Sequence, residues 1–312
     1  MRLEIGGRSD TGQVRSLNED RFAISSPLPS GDILCLVADG LGGYAGGEIA
    51  ASMAVDEVLA GVAGGVDLTA AIAAANGAIY RRASSEPAYA AMATTIVSAL
   101  ISERTARYAY VGDSRIYLIR DGVASQLTTD HSWVAEEVRA GRLTPEEARR
   151  STSRNLVTRA LGMLPEVPAD EGSCRMDAGD AIVLCSDGVH GAVTDDEIAA
   201  ACAEPAEDAC RRLISLANQR GGNDNATVIV ARVLGDEATA TVPRAEGSMA
   251  PVSPAQADRP RKGSTPTSAA RDGSSPAARR QATGGRGRLV AVAILVLIVA
   301  GLTIGWLIFH GA

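Results

Sequence analysis

Residues 1 to about 235 are predicted to form an α+β domain in which antiparallel sheets pack against helices. Three observations favour this class. Short apolar runs of strand length dominate the middle of this stretch. Tight turn signals separate several of the runs, which is typical of antiparallel pairing. Helical patterns come in groups around the strands and do not alternate with them one by one, as they would in a parallel βαβ fold.

The strands are predicted from seven apolar runs. They cover residues 32–38, 94–101, 107–111, 115–120, 123–127, 180–186 and 227–233. Turn signals at 102–104, 112–114 and 121–122 are short enough to join neighbouring runs as hairpins. We therefore expect sequential strands to pair antiparallel.

Four helices are predicted around these strands. The first, at 47–62, places Ile49, Met53 and Val58 near one face. The second is capped by Asp67 and runs to about residue 82. The third lies at 195–202 and is capped by Thr194 or Asp195. The fourth lies at 204–220, begins near Pro205 and ends at two glycines. Grouped in this way, the helices would cover the faces of a sandwich.

A polar insertion, predicted to be mostly helical, separates the strands between Asp130 and Asp170. It contains the segments HSWVAEEVRAG, LTPEEARRS and TSRNLVTRALG. Excursions of this length within a compact domain are often functional. We therefore expect a lid, or a flap that contacts substrate.

The chain beyond the domain has two further regions. Residues 236–288 are rich in Pro, Ser, Ala, Gly and Arg without apolar periodicity, which predicts a disordered linker. Residues 289–309 are 21 consecutive residues without a charge. As a helix they would span roughly 30 Å, the thickness of a bilayer's hydrocarbon core. We expect this segment to be a single transmembrane helix.

The charges near this segment predict its orientation. Arginines at 279, 280, 286 and 288 precede it, and positive charge favours the cytoplasmic side of a membrane. The first residues of the chain carry no apolar run of the kind that a signal peptide needs. Both observations predict a domain in the cytoplasm, anchored to the inner membrane by a single pass.

The composition limits the kinds of metal site and binding partner that the chain can have. The chain has three histidines and five cysteines, and the cysteines are scattered without CxxC spacing. A His-rich zinc site is therefore nearly excluded, and we expect reduced thiols in a cytosolic protein. The net charge of −7 argues against a nucleic-acid partner. Any bound metal should be a hard cation held by oxygen ligands.

Acidic residues recur at the ends of the apolar runs. They are Asp39 after ILCLVA, Asp187 after AIVLCS, Asp113 after ARYAYVG, Asp224 just before TVIVARV, and Glu19 and Asp20 at the end of RSLNED. One aspartate at a strand end is ordinarily a turn former. If all of them converge, their repulsion requires a cation. The glycines after Asp39 would let the backbone turn and bring a carbonyl oxygen close to that cation.

Nine ordered blocks between about Gly6 and Val233 carry a family resemblance. They are RSLNED (15–20), VADGLGG (37–43), GEIAA (47–51), ATTIVSAL (93–100), YVGDSRIYLIRDG (110–122), LTTDHS (127–132), RNLVTRALG (154–162), LCSDGV (184–189) and GGNDNATVIV (221–230). In sequence and order they resemble the metal-dependent protein phosphatases of the 2C type, and the insertion is most similar to the bacterial branch. The resemblance implies a four-layer α-β-β-α sandwich of two antiparallel sheets flanked by helix pairs.

The resemblance also implies a centre of two Mn²⁺ or Mg²⁺ ions. Asp39 would bridge both ions, and Asp187 and Asp224 would complete the first site. Glu19 and the carbonyl of Gly40 would help hold the second. A hydroxide bridging the ions would attack the phosphorus of phosphoserine or phosphothreonine directly.

Three further residues receive roles from the same resemblance. Asp20 would orient metal-bound water, and Asp113, together with Asp187, would favour a third, weaker ion. Arg15 would bind the substrate phosphate through its planar guanidinium. A surface ion pair with Glu19 is the alternative for Arg15.

Two positions depart from the family pattern. Many eukaryotic members have a histidine after the DG, thought to protonate the leaving group, where this chain has Leu41. Metal-bound water or a flap residue would have to serve instead. His131 is one candidate, and a helix cap or structural role is its alternative. The common MGTT block reads MATT, with Ala93 for Gly, a change that we expect packing to absorb.

The resemblance implies phosphorylated proteins as substrates and a bacterial, eukaryotic-like Ser/Thr kinase as partner. Two alternatives stay open. One is a non-catalytic pseudophosphatase scaffold, although such proteins usually lose metal acids and this chain has Asp39, Asp187, Asp224 and Glu19. The other is a phosphohydrolase for small phosphate esters, which the insertion argues against because a groove bordered by a lid suits peptides.

Overall fold

A computed structural model describes residues 2–42 and 46–235 of the chain. Its strands are β1 (Arg2–Asp10), β2 (Arg21–Ile24), β3 (Ile33–Ala38), β4 (Gly40–Leu41), β5 (Ala93–Thr94), β6 (Ile96–Ser102), β7 (Thr105–Val111), β8 (Arg115–Arg120), β9 (Val123–Gln126), β10 (Asp170–Arg175), β11 (Ala181–Cys185) and β12 (Ala226–Leu234). They form two five-stranded sheets, in the orders β1-β12-β11-β8-β9 and β10-β7-β6-β3-β2, and a short β4-β5 pair. Every pairing is antiparallel, as predicted.

Helices cover the outer faces of both sheets. The helices are α1 (Gly46–Ala63), α2 (Leu68–Ser85), α3 (Trp133–Arg139), α4 (Pro145–Arg150), α5 (Asp187–His190), α6 (Asp195–Ala201) and α7 (Ala206–Gln219). α1 and α2 pack on the sheet that contains β3, and α6 and α7 pack on the sheet that contains β11. The layer order is therefore α-β-β-α, as the family resemblance implied.

The central strands are buried on both faces because side chains alternate along a strand. In β3, Leu34 and Leu36 pack against α1 and α2, whereas Cys35 and Val37 face the other sheet. β11 shows the same division, with Val183 in the cluster under α6 and α7. These continuous apolar runs hold the two sheets face to face and bring their strand ends together.

The predicted elements agree with the structure to within a few residues. Asp67 caps α2 by accepting the Thr69 backbone N–H. Thr194, the first of the two alternatives, caps α6 in a capping box with Glu197. Helix α7 follows Pro205 and ends just before Gly221.

Four strands escaped the sequence prediction: β1, β2, β10 and the two-residue strand β4. In β1, Gly6 and Gly7 obscure the strand pattern, yet both mark close packing. A Cβ at Gly6 would lie 2.7 Å from the Glu207 backbone nitrogen of α7, and one at Gly7 would lie 2.7 Å from the Phe22 ring. β10 is an edge strand with the polar sequence DEGSCR. Only their pairing partners identify these segments as strands.

The insertion at 130–170 is less helical than predicted. Only α3 and α4 are α-helices within it, and the segment TSRNLVTRALG consists of turns with two isolated bridges, Thr94 to Leu161 and Ser132 to Val157. Its Ser, Thr and Asn side chains favour turns over helix interiors. A largely buried ion pair between Arg115 and Asp130, with a distance of 2.7 Å, holds the start of the insertion against β8.

The predicted linker at 236–288 and the predicted transmembrane helix at 289–309 lie outside the described residues. Within the described part of the chain, none of the helices combines the length and the apolar character needed to cross a bilayer.

Candidate functional site

Asp39 and Asp187 meet at neighbouring strand ends from opposite sheets. Asp39 follows β3 directly, and Asp187 follows β11 after Ser186. The two strands face each other across the inner core. Besides desolvation, the charges of Asp20 and Asp187 raise the pKa of Asp39, so these carboxyls lie close together.

Thr95 fixes the backbone of Asp39, a role that the sequence analysis did not assign. Its hydroxyl accepts from the Asp39 N–H at 3.1 Å, and its N–H donates to the Asp39 carbonyl at 2.9 Å. The same hydroxyl lies 2.8 Å from the hydroxyl of Ser114, which follows Asp113. The MATT block thus connects two of the predicted acids, and Ala93, buried in β5 opposite Leu41, is absorbed by the packing as expected.

Burial and mutual repulsion raise the pKa values of four aspartates at this point. The pKa of Asp39 rises well above its ordinary value through desolvation and the charges of Asp20, Asp187, Asp113 and Asp224. Desolvation and the charge of Asp224 raise the pKa of Asp187 to about 6. Desolvation also raises the pKa of Asp20 and of Asp113 to about 7, and Asp187 adds repulsion to both. The acids predicted from separate strand ends therefore share one electrostatic environment.

Glu19 and Asp20 bring two orphaned oxygen atoms to this environment. Among the described residues, Glu19 Oε1 and Asp20 Oδ1 are buried side-chain oxygens without a hydrogen-bond partner. The other oxygen of Asp20 accepts a 2.7 Å hydrogen bond from the Ser186 hydroxyl. Desolvation raises the pKa of Glu19 as well. Buried carboxylate oxygens without partners are costly unless a cation or water satisfies them.

Two glycines near Asp39, Gly40 and Gly47, allow close contacts of the backbone with neighbouring protein atoms. A Cβ at Gly40 would lie 2.3 Å from the backbone of Gly47, the second residue of α1, and 2.8 Å from the Glu19 carbonyl. A Cβ at Gly47 would lie 2.6 Å from Glu19 Oε1. Only glycine at both positions leaves room for the Glu19 carboxyl beside the Gly40 backbone.

Arg15 pairs with Asp224, not with Glu19. Its Nη2 lies 2.8 Å from Asp224 Oδ2, and about half of its side chain is exposed. The other oxygen, Asp224 Oδ1, accepts the backbone N–H of Asn225 at 2.9 Å. The predicted phosphate-binding residue therefore stands at the edge of the acidic site with its guanidinium open to solvent.

His131 has a structural environment. The ring is buried and stacked on Tyr110 at 5.3 Å; its Nδ1 accepts the Gly112 N–H at 3.0 Å, and its Nε2 lies 3.3 Å from Asp170 Oδ2. Burial, followed by the charge of Arg159, lowers its pKa. Both ring nitrogens are engaged, so the structure favours the structural alternative over a general acid.

We call Glu19, Asp20, Asp39, Asp113, Asp187 and Asp224 the acidic cluster. The chemistry of the acidic cluster suits divalent cations, although its geometry is not that of a closed metal site. Across residues 2–42 and 46–235, no three His, Cys, Asp or Glu side chains already form a metal-binding group. A divalent cation would nonetheless satisfy the two orphaned oxygens and relieve the repulsion that contributes to the four raised aspartate pKa values. Carboxylates and a backbone carbonyl are the donors that Mg²⁺ and Mn²⁺ prefer.

A family model described as protein phosphatase 2C matches residues 10–228. The chain belongs to the protein phosphatase 2C family. The match begins at the end of β1 and ends within β12, so it contains every predicted site residue of this 2C-type domain.

Two relatives and one solved structure show how the 2C-type domain compares with known proteins. The serine/threonine protein phosphatase PstP of Mycobacterium tuberculosis is 38% identical over 259 residues, covering 79% of this chain and 48% of PstP. The protein phosphatase PhpP of Streptococcus pneumoniae is 35% identical over 237 residues, covering 72% of this chain and 96% of PhpP. The crystal structure of the catalytic domain of PstP in complex with two manganese ions superposes with a TM-score of 0.67 at 36% identity, covering 75% of this chain and 99% of that structure.

The chain therefore spans about half the length of PstP and nearly the whole of PhpP. In both cases the similarity lies in the 2C-type domain. The manganese ions of the PstP structure provide a solved example of the ion pair that the acidic cluster of this chain is suited to hold.

Proposed function

We propose that this chain is a metal-dependent protein serine/threonine phosphatase. The convergence of Asp39 and Asp187, which follow the facing strands β3 and β11 and lie within a cluster of mutually repelling acids, is the observation that carries the proposal. Membership of the protein phosphatase 2C family and similarity to PstP and PhpP support it.

Two Mn²⁺ or Mg²⁺ ions would be held by the carboxylates of Asp39, Asp187, Asp224 and Glu19 and by the carbonyl of Gly40. When bound, such an ion pair supplies a water of lowered pKa and neutralises charge on the phosphate. Manganese in the PstP structure supports this assignment. Asp113 and Asp187 would favour a third, weaker ion, because repulsion from Asp187 contributes to the raised pKa of Asp113.

The chain's own side chains would bind and orient the phosphate ester. Arg15 would exchange its exposed pair with Asp224 for two hydrogen bonds to the phosphate, since a guanidinium matches phosphate oxygens in a planar fork. Asp20 would accept a proton from the attacking water at its orphaned Oδ1, while Ser186 holds its other oxygen. Leu41 cannot supply a proton to the leaving group, and the ring nitrogens of His131 are engaged elsewhere.

Phosphate release by a fragment of residues 1–235 tests the activity. This fragment contains all three hydrophobic clusters of the described domain. We expect Mn²⁺-dependent hydrolysis of p-nitrophenyl phosphate and of phosphoserine and phosphothreonine peptides, with EDTA abolishing both. A fragment that binds phosphopeptides without turnover would favour the pseudophosphatase, and one that prefers nucleotides to peptides would favour the small-ester phosphohydrolase.

We further propose that the domain is tethered to the cytoplasmic membrane and opposes a bacterial Ser/Thr kinase. The tether rests on the uncharged residues 289–309 and the arginines before them. Expression of the full chain and of a chain ending at 235, followed by carbonate extraction of membranes, tests it. The full chain should stay in the membrane pellet and the shorter chain should not; equal release of both would refute the tether.

A further inference from the structure

Asn225 uses every hydrogen-bonding group of its amide, and all three partners lie on one segment. Its Nδ2 donates to the carbonyls of Thr11 and Leu17, both at 2.9 Å. Its Oδ1 accepts the backbone N–H of Glu19 at 2.8 Å. The residue is only 4% exposed. Because the oxygen faces a donor and the nitrogen faces two acceptors, the orientation of the amide is fixed by chemistry.

These three hydrogen bonds bracket the segment that carries the phosphate-binding arginine and one of the metal-ligand candidates. Thr11 and Leu17 lie on either side of Arg15, and Glu19 is itself one of the predicted ligands. The same segment is held at a second point, where Gln13 N–H and Val14 N–H donate to the Gly222 carbonyl. Residues 11–19 are thus fixed in place mainly through their backbone.

The backbone of Asn225 ties this segment to the other two acidic strand ends. Asp224 precedes it directly, and the Asn225 N–H donates to Asp224 Oδ1. On the opposite side, a Cβ at Gly188 would lie 2.0 Å from the Asn225 carbonyl oxygen, so the residue after Asp187 packs against Asn225 as closely as glycine permits. Asn225 therefore lies where the segments bearing Arg15, Asp187 and Asp224 come together.

We propose that Asn225 is the positioning residue that sets Arg15 and Glu19 at the correct distance from Asp224. Asn225 itself would touch neither substrate nor metal. It acts by holding residues 11–19, and the inference rests on the proposed function for its kinetic consequence but not for its structural one. Residues that orient metal ligands in this way typically alter metal affinity or activity about 10- to 100-fold when they are removed.

The chain supplies a matched control in Asn76. Its amide is also buried and also makes three backbone hydrogen bonds, accepting from Gly162 N–H at 2.8 Å and donating to the carbonyls of Leu164 and Pro165 at 3.2 and 3.1 Å. These partners lie in the insertion at 130–170, and none of them is a candidate metal ligand. Asn225→Ala and Asn76→Ala therefore delete the same chemistry inside and outside the site, and their stability costs should be similar.

Amide hydrogen exchange of the full chain in EDTA gives a readout that needs neither metal nor turnover. We expect Glu19 N–H to exchange at least about 10-fold faster in Asn225→Ala than in the wild type and to be unchanged in Asn76→Ala. Gly162 N–H should show the reverse. Equal exchange of Glu19 in wild type and Asn225→Ala would overturn the proposal.

Calorimetric Mn²⁺ binding and the KM for a phosphopeptide give the functional readout. Asn225→Ala should weaken Mn²⁺ binding and raise KM about 10- to 100-fold, whereas Asn76→Ala should change Mn²⁺ affinity by no more than about 2-fold. Equal effects of the two variants on Mn²⁺ affinity would show that Asn225 has only a structural role and would refute the positioning proposal. If Asn225→Ala does not fold, exchange in the wild type decides: a Glu19 N–H that exchanges at the rate of a free amide overturns the proposal, and a protected one supports it. A wild type without turnover would sink the proposed phosphatase but leave the exchange and Mn²⁺ results valid.

Discussion

The guanidinium of Arg15 lies 2.8 Å from the carboxylate of Asp224, across 209 residues of sequence. The pair joins the predicted phosphate-binding residue to a predicted metal ligand. Its side chains are 48% and 29% exposed, so the pair contributes little to stability, at most about 1 kcal/mol. Arg15 is therefore held near the site without being committed to Asp224.

Replacing Arg15 should impair catalysis without affecting the fold. Arg15→Lys keeps the charge but loses the planar fork, so we expect kcat/KM for a phosphopeptide to fall about 10-fold or more. The free energy of unfolding should change by less than about 0.5 kcal/mol. Arg211→Ala, which removes another exposed arginine paired with Asp208, is the control and should leave kcat/KM unchanged. Equal kcat/KM values for Arg15→Lys and the wild type would show that Arg15 does not bind the substrate phosphate through its guanidinium.

A methyl group at Gly47 should weaken metal binding. Its Cβ would lie 2.6 Å from Glu19 Oε1 and 2.7 Å from the Gly40 backbone, so Glu19 or Gly40 must move. We expect Gly47→Ala to lower Mn²⁺ affinity about 10-fold or more, measured by calorimetry. Gly77→Ala in α2 meets only the flexible end of Arg81 and should stabilise the domain by about 0.5–1 kcal/mol. Unchanged Mn²⁺ affinity in Gly47→Ala would argue against Glu19 as a ligand.

The ion pair between Arg115 and Asp130 should be important for stability. Both side chains are largely buried, and Arg115 also donates to the Tyr117 hydroxyl. Arg115→Ala leaves a buried carboxylate without its counter-charge, so urea denaturation should show a loss of about 3 kcal/mol. The exposed pair of Arg149 with Glu146 provides the comparison, and Arg149→Ala should cost less than about 0.5 kcal/mol. A loss no larger for Arg115→Ala than for Arg149→Ala would contradict the structure.

The stability of the metal-free protein should depend on Asp20 in a pH-sensitive way. The folded pKa of Asp20, about 7, is above its ordinary value of 3.8. The folded state therefore binds the Asp20 proton more tightly than the unfolded state does. The resulting contribution to the free energy of unfolding is fully present below about pH 4 and is lost as pH rises through 7. In EDTA, we expect the stability of the wild type relative to Asp20→Asn to fall by at least about 1.4 kcal/mol between pH 5 and pH 8.

The comparison with Asp20→Asn is required because buried histidines act in the opposite direction. Burial lowers the pKa values of His131 and His190, so their contribution is present above about pH 6.5 and is lost as pH falls. The wild type and Asp20→Asn both contain these histidines, so the histidine contributions cancel when the two stabilities are subtracted. If the stability of the wild type relative to Asp20→Asn does not change with pH, or increases as pH rises, Asp20 is not held in the protonated form.

The fold was largely predictable because its central strands are buried on both faces. Runs such as β3 and β11 have no polar face and are recognisable without a partner. β1 and β10 were not predictable for the opposite reason: Gly6, Gly7 and the polar β10 sequence are explained only by the α7 backbone, Phe22 and β7 against which they pack. The local sequence does not indicate which distant segments will pack against it.

The convergence of the acids was predictable from the sequence, whereas the residues that support them were not. An aspartate at the end of a buried strand is conspicuous in sequence, so Asp39 and Asp187 could be named. Asn225 and Thr95 have ordinary residue types, and their roles come from hydrogen bonds to segments far away in sequence. Asn225 lies beside Asp224 in GGNDNAT, which is the one local signal that pointed to it.

Mn²⁺-dependent phosphate release by Asp39→Asn and Asp187→Asn, measured beside the wild type, tests the central claim most directly. Asp208→Asn, an exposed aspartate that pairs with Arg211, controls for loss of a charge. The convergence of Asp39 and Asp187 predicts EDTA-sensitive turnover in the wild type and Asp208→Asn, and turnover at background in the other two. Turnover that survives both Asp39→Asn and Asp187→Asn would contradict it.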